Sequence, residues 1–313
     1  MPNAIVFDEP GAKVRLDSIS TRPPPKMSKA KAKARFESLD EELFDLQDLM
    51  WGARTHSVLL VLQGRDAAGK DGTVKHVVGA LNPRGVQVTS FGMPTTEERQ
   101  HDFLWRIHRH APRQGEFAIF NRSHYEDVLI VRVHELVKKS VWKTRYDSIN
   151  AFESLLAEQG CIVLKYFLHI SKEEQEERLL DREKDSVAAW KINVDDWKQR
   201  DEWDDFTEAY QDAISRCASR HAPWRVVPSD AKWYRNLAVA ESLAEALRPY
   251  RKEWLKTLER VGEERRAELA AWHAGREGAS GALTGRRRKV RSTVRRKRAP
   301  EGPEPAATDG SGA

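Results

Sequence analysis

The stretch SVLLVLQGRDAAGKDGTVKHVV, residues 57–78, decides how this chain is read. Ser57 to Gln63 is a short apolar run rich in Val and Leu, the pattern of a strand buried on both faces. Val74, Val77, Val78 and Leu81 then recur at helical spacing until Pro83 stops the run. Between strand and helix lie Gly64, Arg65, Asp66, Ala67, Ala68, Gly69, Lys70, Asp71 and Gly72, with the spacing GxxxxGK. In that context glycines let the backbone wrap an anion with its N–H groups, the helix N-terminus adds a favourable dipole, and the lysine reaches the outer phosphates. A glycine-rich turn without a ligand is the competing reading, and the strand, the helix and the lysine weigh against it. The Ser or Thr that usually follows the lysine and holds Mg²⁺ is replaced by Asp71. Another ligand is needed for magnesium, or for manganese in its place, and Asp66 within the loop is the obvious carboxylate.

Working outward, the alternation continues. Residues 86–91, 116–120, 161–170 and 224–228 read as further strands. Helices are expected at 36–52 (ended by Gly52), from the Thr95/Glu98 capping box to His110, at 123–138, 145–159, 171–185 and 231–248. Strand–helix alternation calls for right-handed crossovers and a parallel sheet covered on both faces. The expected fold is α/β: a P-loop, three-layer α/β/α sandwich, in which 182–215, strandless and rich in Trp and charge, forms an inserted helical lid. Residues 1–35 read as an extended arm, 36–250 as the catalytic domain, 251–275 as a charged helix and 276–313 as a disordered basic tail.

Two further segments carry candidate chemistry. The strand at 116–120 runs into Asn121 and Arg122, where a nucleotide-binding strand would more commonly end in Asp. Ligands of α/β sheets collect at such carboxyl ends. Arg122 is placed to neutralise a transferring phosphoryl group, and Asn121 to orient a phosphate or a metal-bound water. Glu126 and Asp127 fall in the first turns of the next helix, near nucleotide or metal, or equally as partners of the helix dipole. Arg178 and Arg182, four apart, share a helix face and would bring charge over phosphates from a closing lid. On the sequence alone, a solvated face of i,i+4 salt bridges is the stronger reading of this pair.

Composition narrows the classes. The 313 residues carry a net charge of +5, which on its own suggests a nucleic-acid binder. From Arg286 onward, however, nine basic and three acidic residues give +6, leaving −1 for residues 1–285. Two cysteines, Cys161 and Cys217, exclude a disulfide framework and fit a reducing, cytoplasmic setting. Neither a signal peptide nor a membrane-spanning apolar run is expected.

Together, GRDAAGKDG (64–72), FNRSHYEDVLIVRVHE (120–135), LLDREKD (179–185) with RDEWDDFTEAY (200–210), and HAPWRVVPSDAKWYRN (221–236) resemble the family-2 polyphosphate kinases, P-loop kinases related in fold to thymidylate kinase. The resemblance runs from about Val14 to Tyr250. The NRSHYED form and the Lys-rich arm are most similar to the subgroup acting on both AMP and ADP; other subgroups usually have Trp where His124 stands. The resemblance implies reversible, Mg²⁺-dependent phosphoryl transfer between inorganic polyphosphate and nucleoside mono- or diphosphates, in a homo-oligomer. It implies Asp66 as metal ligand, Lys70 at the transferring phosphates, Asn121 and Arg122 at the second strand end, Arg178 and Arg182 as lid arginines, and Lys75 and Arg106 on a basic polyphosphate wall. Two other readings stand beside it. An ATP-dependent nucleoside monophosphate kinase is permitted by the loop but lacks the usual Ser/Thr and strand-end Asp. A non-catalytic polyanion or nucleic-acid binder would use RRRKVRSTVRRKR, which without interleaved aromatics supports only nonspecific, salt-sensitive contact.

Overall fold

The eight residues of the central strand, SVLLVLQG, are all buried, and everything else is built around them. In the computed structural model, which describes residues 4–295 except Ala80 and Ala188, the elements follow in this order. They are β1 (Ile5–Phe7), α1 (Lys29–Ala53), β2 (Ser57–Gly64), α2 (Lys70–Thr73), β3 (Val86–Ser90), α3 (Trp105–His108), β4 (Phe117–Asn121), α4 (Ile130–Val133) and α5 (Lys139–Glu158). Then come β5 (Cys161–His169), α6 (Lys172–Lys184), α7 (Val194–Asp201), α8 (Trp203–Arg216), β6 (Trp224–Pro228), α9 (Lys232–Leu247) and α10 (Arg251–Arg295).

The strands form one sheet in the order β1-β6-β5-β2-β4-β3. Five are parallel, as expected; β1 pairs antiparallel with β6, so the sheet is mixed at that edge. β1 lies within the N-terminal segment that reads as an arm. Side chains of β2 alternate between two cores. Val58, Leu60 and Leu62 pack with α1 and α9, while Leu59 and Val61 pack with α5 and α8. These are the outer layers of the sandwich. Leu62 of β2 stands beside Asn121 of β4, and Gly64 beside Leu168 of β5, so the loop after β2 and the turn after β4 leave the same end of the sheet as neighbours.

Several elements depart from the periodicity reading, each for a local reason. α1 begins at Lys29, not at 36, because the KAKAKAR run consists of good helix formers and Ser28 caps it, accepting from Lys31 N at 3.4 Å. Gly52 does not end α1; a Cβ there would lie 2.8 Å from Leu258 Cδ2, so this glycine serves close packing. The Thr95/Glu98 capping box is formed in both directions, at 2.7 and 3.2 Å, yet only short turns follow. His101 is extended, and Asp102 restarts the chain by accepting from Leu104 N. Residues 123–138 hold a 3-10 turn, His124–Val128, followed by α4, because buried His124 and Tyr125 anchor the turn to the interior.

The expected lid at 182–215 is shortened. Phe206, Ala209, Tyr210, Ala213 and Ile214 line one face of α8 and are buried in the second core, so α8 belongs to the outer layer. The exposed residues Val187, Trp190, Ile192 and Val194 lie in the segment that remains. The chain divides after Leu258, and the described residues of the second unit, from Glu259, are helical. Helix is present as far as Arg295, where composition predicts disorder; the Ala, Leu, Lys and Arg of this stretch are strong helix formers. The expectation for 296–313 lies outside the described residues. Among the described residues, no helix is long and apolar enough to cross a membrane.

Candidate active site

The loop after β2 turns through Ala67 at φ 60° and Gly69 at φ 102° before α2 begins. Its inward-facing carbonyls are met by two buried arginines. Arg178 Nη1 donates to Ala67 O at 2.9 Å and Ala68 O at 3.2 Å, and Arg235 Nη1 donates to Ala68 O at 3.2 Å. A Cβ at Gly69 would overlap Arg235 Nη1, and one at Gly72 would lie 2.9 Å from its Nη2. Two of the loop glycines therefore admit a guanidinium from below as well as shaping the turn. Burial lowers the Arg235 pKa to about 10.

On the open side, charges converge on Asp66. Arg122 Nη2 donates to Asp66 Oδ1 at 2.5 Å, and Lys70 Nζ lies 4.0 Å from the same atom. Lys70 meanwhile donates to the carbonyls of Gly64 and Arg65, at 2.7 and 3.2 Å. Burial, and then the neighbouring Arg122, lower the lysine's pKa. Burial also works against the charge of Arg122, but Glu126 and Asp66 outweigh it and the net shift is upward. Arg122 has φ 62°, an uncommon conformation for a residue with a Cβ. Asn121 Nδ2 donates to Asp71 Oδ1 at 2.8 Å, so the residue that replaces the usual Ser or Thr ties the loop helix to the end of β4.

Among the described residues no group of three or more His, Cys, Asp or Glu is arranged to hold a metal by itself. The donors present nonetheless suit magnesium. Asp66 and Asp71 offer carboxylate oxygens, and Asn121 Oδ1 is buried with no hydrogen-bond partner. Magnesium takes one or two protein carboxylates and draws its remaining ligands from phosphate and water.

The other predicted residues are distributed differently. Arg178 is not in a lid: besides the loop carbonyls it donates to Ser229 O, Asp230 O and Glu174, so its guanidinium is fully engaged in holding the loop. Arg182 donates to Asp196 of α7 at 2.8 Å, which ties the end of α6 to the segment expected as a lid. Arg106 is mostly buried, donates to Gly92 O at 2.8 Å and lies 3.9 Å from Asp127, and it borders the large cleft described below. Asp127 is held mainly by Arg145 at 2.9 Å. Lys75 is exposed on the turn that follows α2.

Sequence reasoning missed Arg65, Gln175, Arg235 and Tyr210. Arg65 stacks 3.6 Å from the Trp203 ring and donates to Thr207, fastening the loop to α8. Gln175 donates to Asp66 O at 3.0 Å. The available signal for Arg235 was the paired Gly69 and Gly72; the others have none outside the fold. Beyond Arg122 and Glu126 opens a cleft of about 600 Å³, with Phe91, Met93, Phe103, Val131 and Val137 in its walls. The smaller cleft beside the loop is also bounded by Arg122 and Glu126.

The sequence model of the family "Polyphosphate kinase 2 (PPK2)" matches residues 26–254. The chain belongs to the polyphosphate kinase 2 family. It is 49% identical over 209 residues to the AMP/ADP-polyphosphate phosphotransferase of Meiothermus ruber, a match covering 67% of this chain and 78% of that protein. Its identity to the ADP-polyphosphate phosphotransferase of Rhodopseudomonas palustris is 42% over 229 residues, covering 69% and 79%. The crystal structure of polyphosphate kinase 2 from Arthrobacter aurescens TC1 superposes with a TM-score of 0.74 at 41% identity, covering 78% of this chain and 91% of that one. For this polyphosphate kinase 2 chain, the loop, the strand-end turn and the parallel sheet thus occur together as the family resemblance requires.

Two predictions follow from the geometry. Arg178→Met takes a donor from the carbonyls of Ala67, Ser229 and Asp230, while Ala68 O keeps Arg235, and stability should fall by about 3 kcal/mol. That corresponds to roughly 6–12 °C in the thermal midpoint, measured by calorimetry. Burial pushes the Asp127 carboxyl up to about 6, against the pull of Arg145 and Arg106. The unfolded chain releases that proton near pH 4, so the folded state holds the extra proton in between. The contribution is present below about pH 4 and is lost as the pH rises through about 6. Relative to Asp127→Asn, the wild type should lose up to about 3 kcal/mol between pH 4 and 7 in urea titrations.

Proposed function

We propose that this chain transfers phosphoryl groups reversibly between inorganic polyphosphate and nucleoside mono- and diphosphates, using AMP and ADP as acceptors. One observation carries the reading. Lys70 and Arg122 converge on Asp66 at the junction between a phosphate loop and an apolar cleft of about 600 Å³, and Arg122 and Glu126 border both spaces. That volume falls in the range of small-molecule sites and suits a nucleoside. The names of the Meiothermus and Rhodopseudomonas relatives, which give AMP and ADP, support the same acceptors.

The chemistry asks little covalent work of the protein. The terminal phosphate oxygen of the acceptor is already a nucleophile near pH 7, so no strong general base is needed. The obstacle is repulsion between two polyanions brought into line. Lys70 holds the donor phosphates at the loop, and Arg122 neutralises the group in transfer. Arg182 approaches from the base of the lid, and lid closure excludes water. Arg178 and Arg235 act indirectly, by holding the loop carbonyls. Magnesium, held through Asp66 with Asp71 and Asn121 nearby, supplies further charge neutralisation when bound. Lys75 remains the exposed residue offered to the polyphosphate chain. The family resemblance supports assembly into a homo-oligomer, and the buried free thiols of Cys161 and Cys217 support a reducing, cytoplasmic setting.

The deciding experiment is turnover of AMP and ADP with long-chain polyphosphate or ATP as donor, with and without Mg²⁺. Polyphosphate with Mg²⁺ should support both acceptors; activity with ATP alone would overturn the reading. Lys70→Ala and Arg122→Ala should each lower kcat a hundredfold or more, on the order of 3 kcal/mol of transition-state stabilisation. Asp66→Asn should raise the Mg²⁺ concentration for half-maximal rate, and an unchanged metal titration would remove Asp66 from the metal's surroundings.

A further inference from the structure

Directly beneath the turn that carries Arg122 lies a charged network with no access to solvent. His124, Tyr125, Glu153 and Lys165 are all at most 1% exposed. Lys165 Nζ donates to Glu153 Oε2 at 2.6 Å, to Tyr125 Oη at 2.9 Å and to Cys217 O at 2.5 Å, which uses all three of its protons. The Tyr125 hydroxyl donates to Glu153 Oε1 at 2.8 Å, and His124 Nε2 lies 3.2 Å from the same oxygen. The ammonium also lies 5.2 Å from the Trp224 ring and 5.4 Å from that of Tyr125.

A buried ion pair is weak support for stability, because desolvation offsets the attraction and apolar residues of similar volume often serve as well. What this pair joins is more informative. Glu153 is on α5, Lys165 on β5, His124 and Tyr125 on the turn after β4, and Cys217 closes α8. The turn supplies Arg122 and Glu126 to one wall of the cleft beside the loop, and α8 supplies Phe206 and Tyr210 to another. The network therefore ties two walls of one cleft to each other through the second core, on one face of the sheet.

It also sits next to a strained residue. Arg122 at φ 62° occupies a region unfavourable for a residue with a Cβ, one that persists only where the surroundings over-determine it. Ser123 follows, fully buried. Its Oγ accepts from Gln63 Nε2 at 3.1 Å and from Tyr125 N at 3.2 Å, and the network begins with the next residue.

We infer that His124, Tyr125, Glu153 and Lys165 form a positioning network that holds Arg122 in its left-handed conformation and sets its distance from α8. The inference rests on the reading of Arg122 as the residue that neutralises the group in transfer. None of the four touches substrate; they act through Arg122.

The test replaces both charges at once, with Glu153→Leu and Lys165→Met in one chain, and compares it with Tyr125→Phe and Arg122→Ala. The double variant should melt within a few degrees of wild type, yet lose tenfold or more in kcat while KM for AMP and for polyphosphate stays within threefold. A network that only stabilises the fold would shift melting and leave kcat alone, so a folded double variant with kcat within twofold of wild type overturns the inference. If the double variant does not fold, Tyr125→Phe decides. Removing that one hydroxyl should lower kcat at least threefold at unchanged KM, and an unchanged kcat overturns the inference. Arg122→Ala separates the two levels. Near wild-type turnover there sinks the functional reading and this inference with it. Loss of turnover there, with the network variants unaffected, sinks this inference alone.

Discussion

A loop that offers its amides to a phosphate chain turns carbonyls the other way, and those carbonyls need donors. Here Arg178 and Arg235 supply them at Ala67 and Ala68, and much of the architecture follows from that requirement. Arg178 comes from α6 and also grips Ser229 and Asp230 after β6, so the loop is bound to the strand end across the sheet. Arg235 comes from the first turns of α9 and fills the space left by Gly69 and Gly72. The positive charge beneath the loop is thus structural, and a different set, Lys70 and Arg122, faces Asp66 on the open side.

How much of this was readable in the sequence depended on whether the determining interaction was local. β2, its loop and the following helical turns are specified by neighbours in sequence, and the structure has all three where they were expected. The four other strands of the parallel sheet were likewise expected. β1 was not, because three residues of Ile, Val and Phe become a strand only where β6 offers an edge. α8 was misread as lid because its charged face is conspicuous in DEWDDFTEAY, while the apolar spacing of Phe206, Tyr210 and Ile214 decides where it packs. Arg122 was recognised from its strand-end position. Arg178 was misassigned, and Arg65 and Arg235 missed, because a single arginine in a polar segment looks the same whether it meets water or a buried carbonyl.

Bulk charge misdirects in the same way. The net +5 is produced by a +6 tail attached to a chain of −1, whereas the charges that meet at Asp66 are the buried Lys70 and the half-buried Arg122. Lys70 is almost fully buried and its ammonium is held by carbonyls of its own loop. Neighbours and low exposure, not overall basicity, make such groups effective against a polyanion.

The antiparallel edge strand has a consequence for the order of assembly. Ile5 pairs with Val226, so β1 is synthesised long before the strand it joins. The five parallel strands can form their ladder while β1 waits, and only the arrival of β6 gives it an edge to bind. Closing so long a stretch of chain is entropically slow, and pairings of this kind form late. The earliest strand of the sheet to be made thus depends for its edge on the one made last, and it covers the β6 edge that would otherwise be left open to other chains.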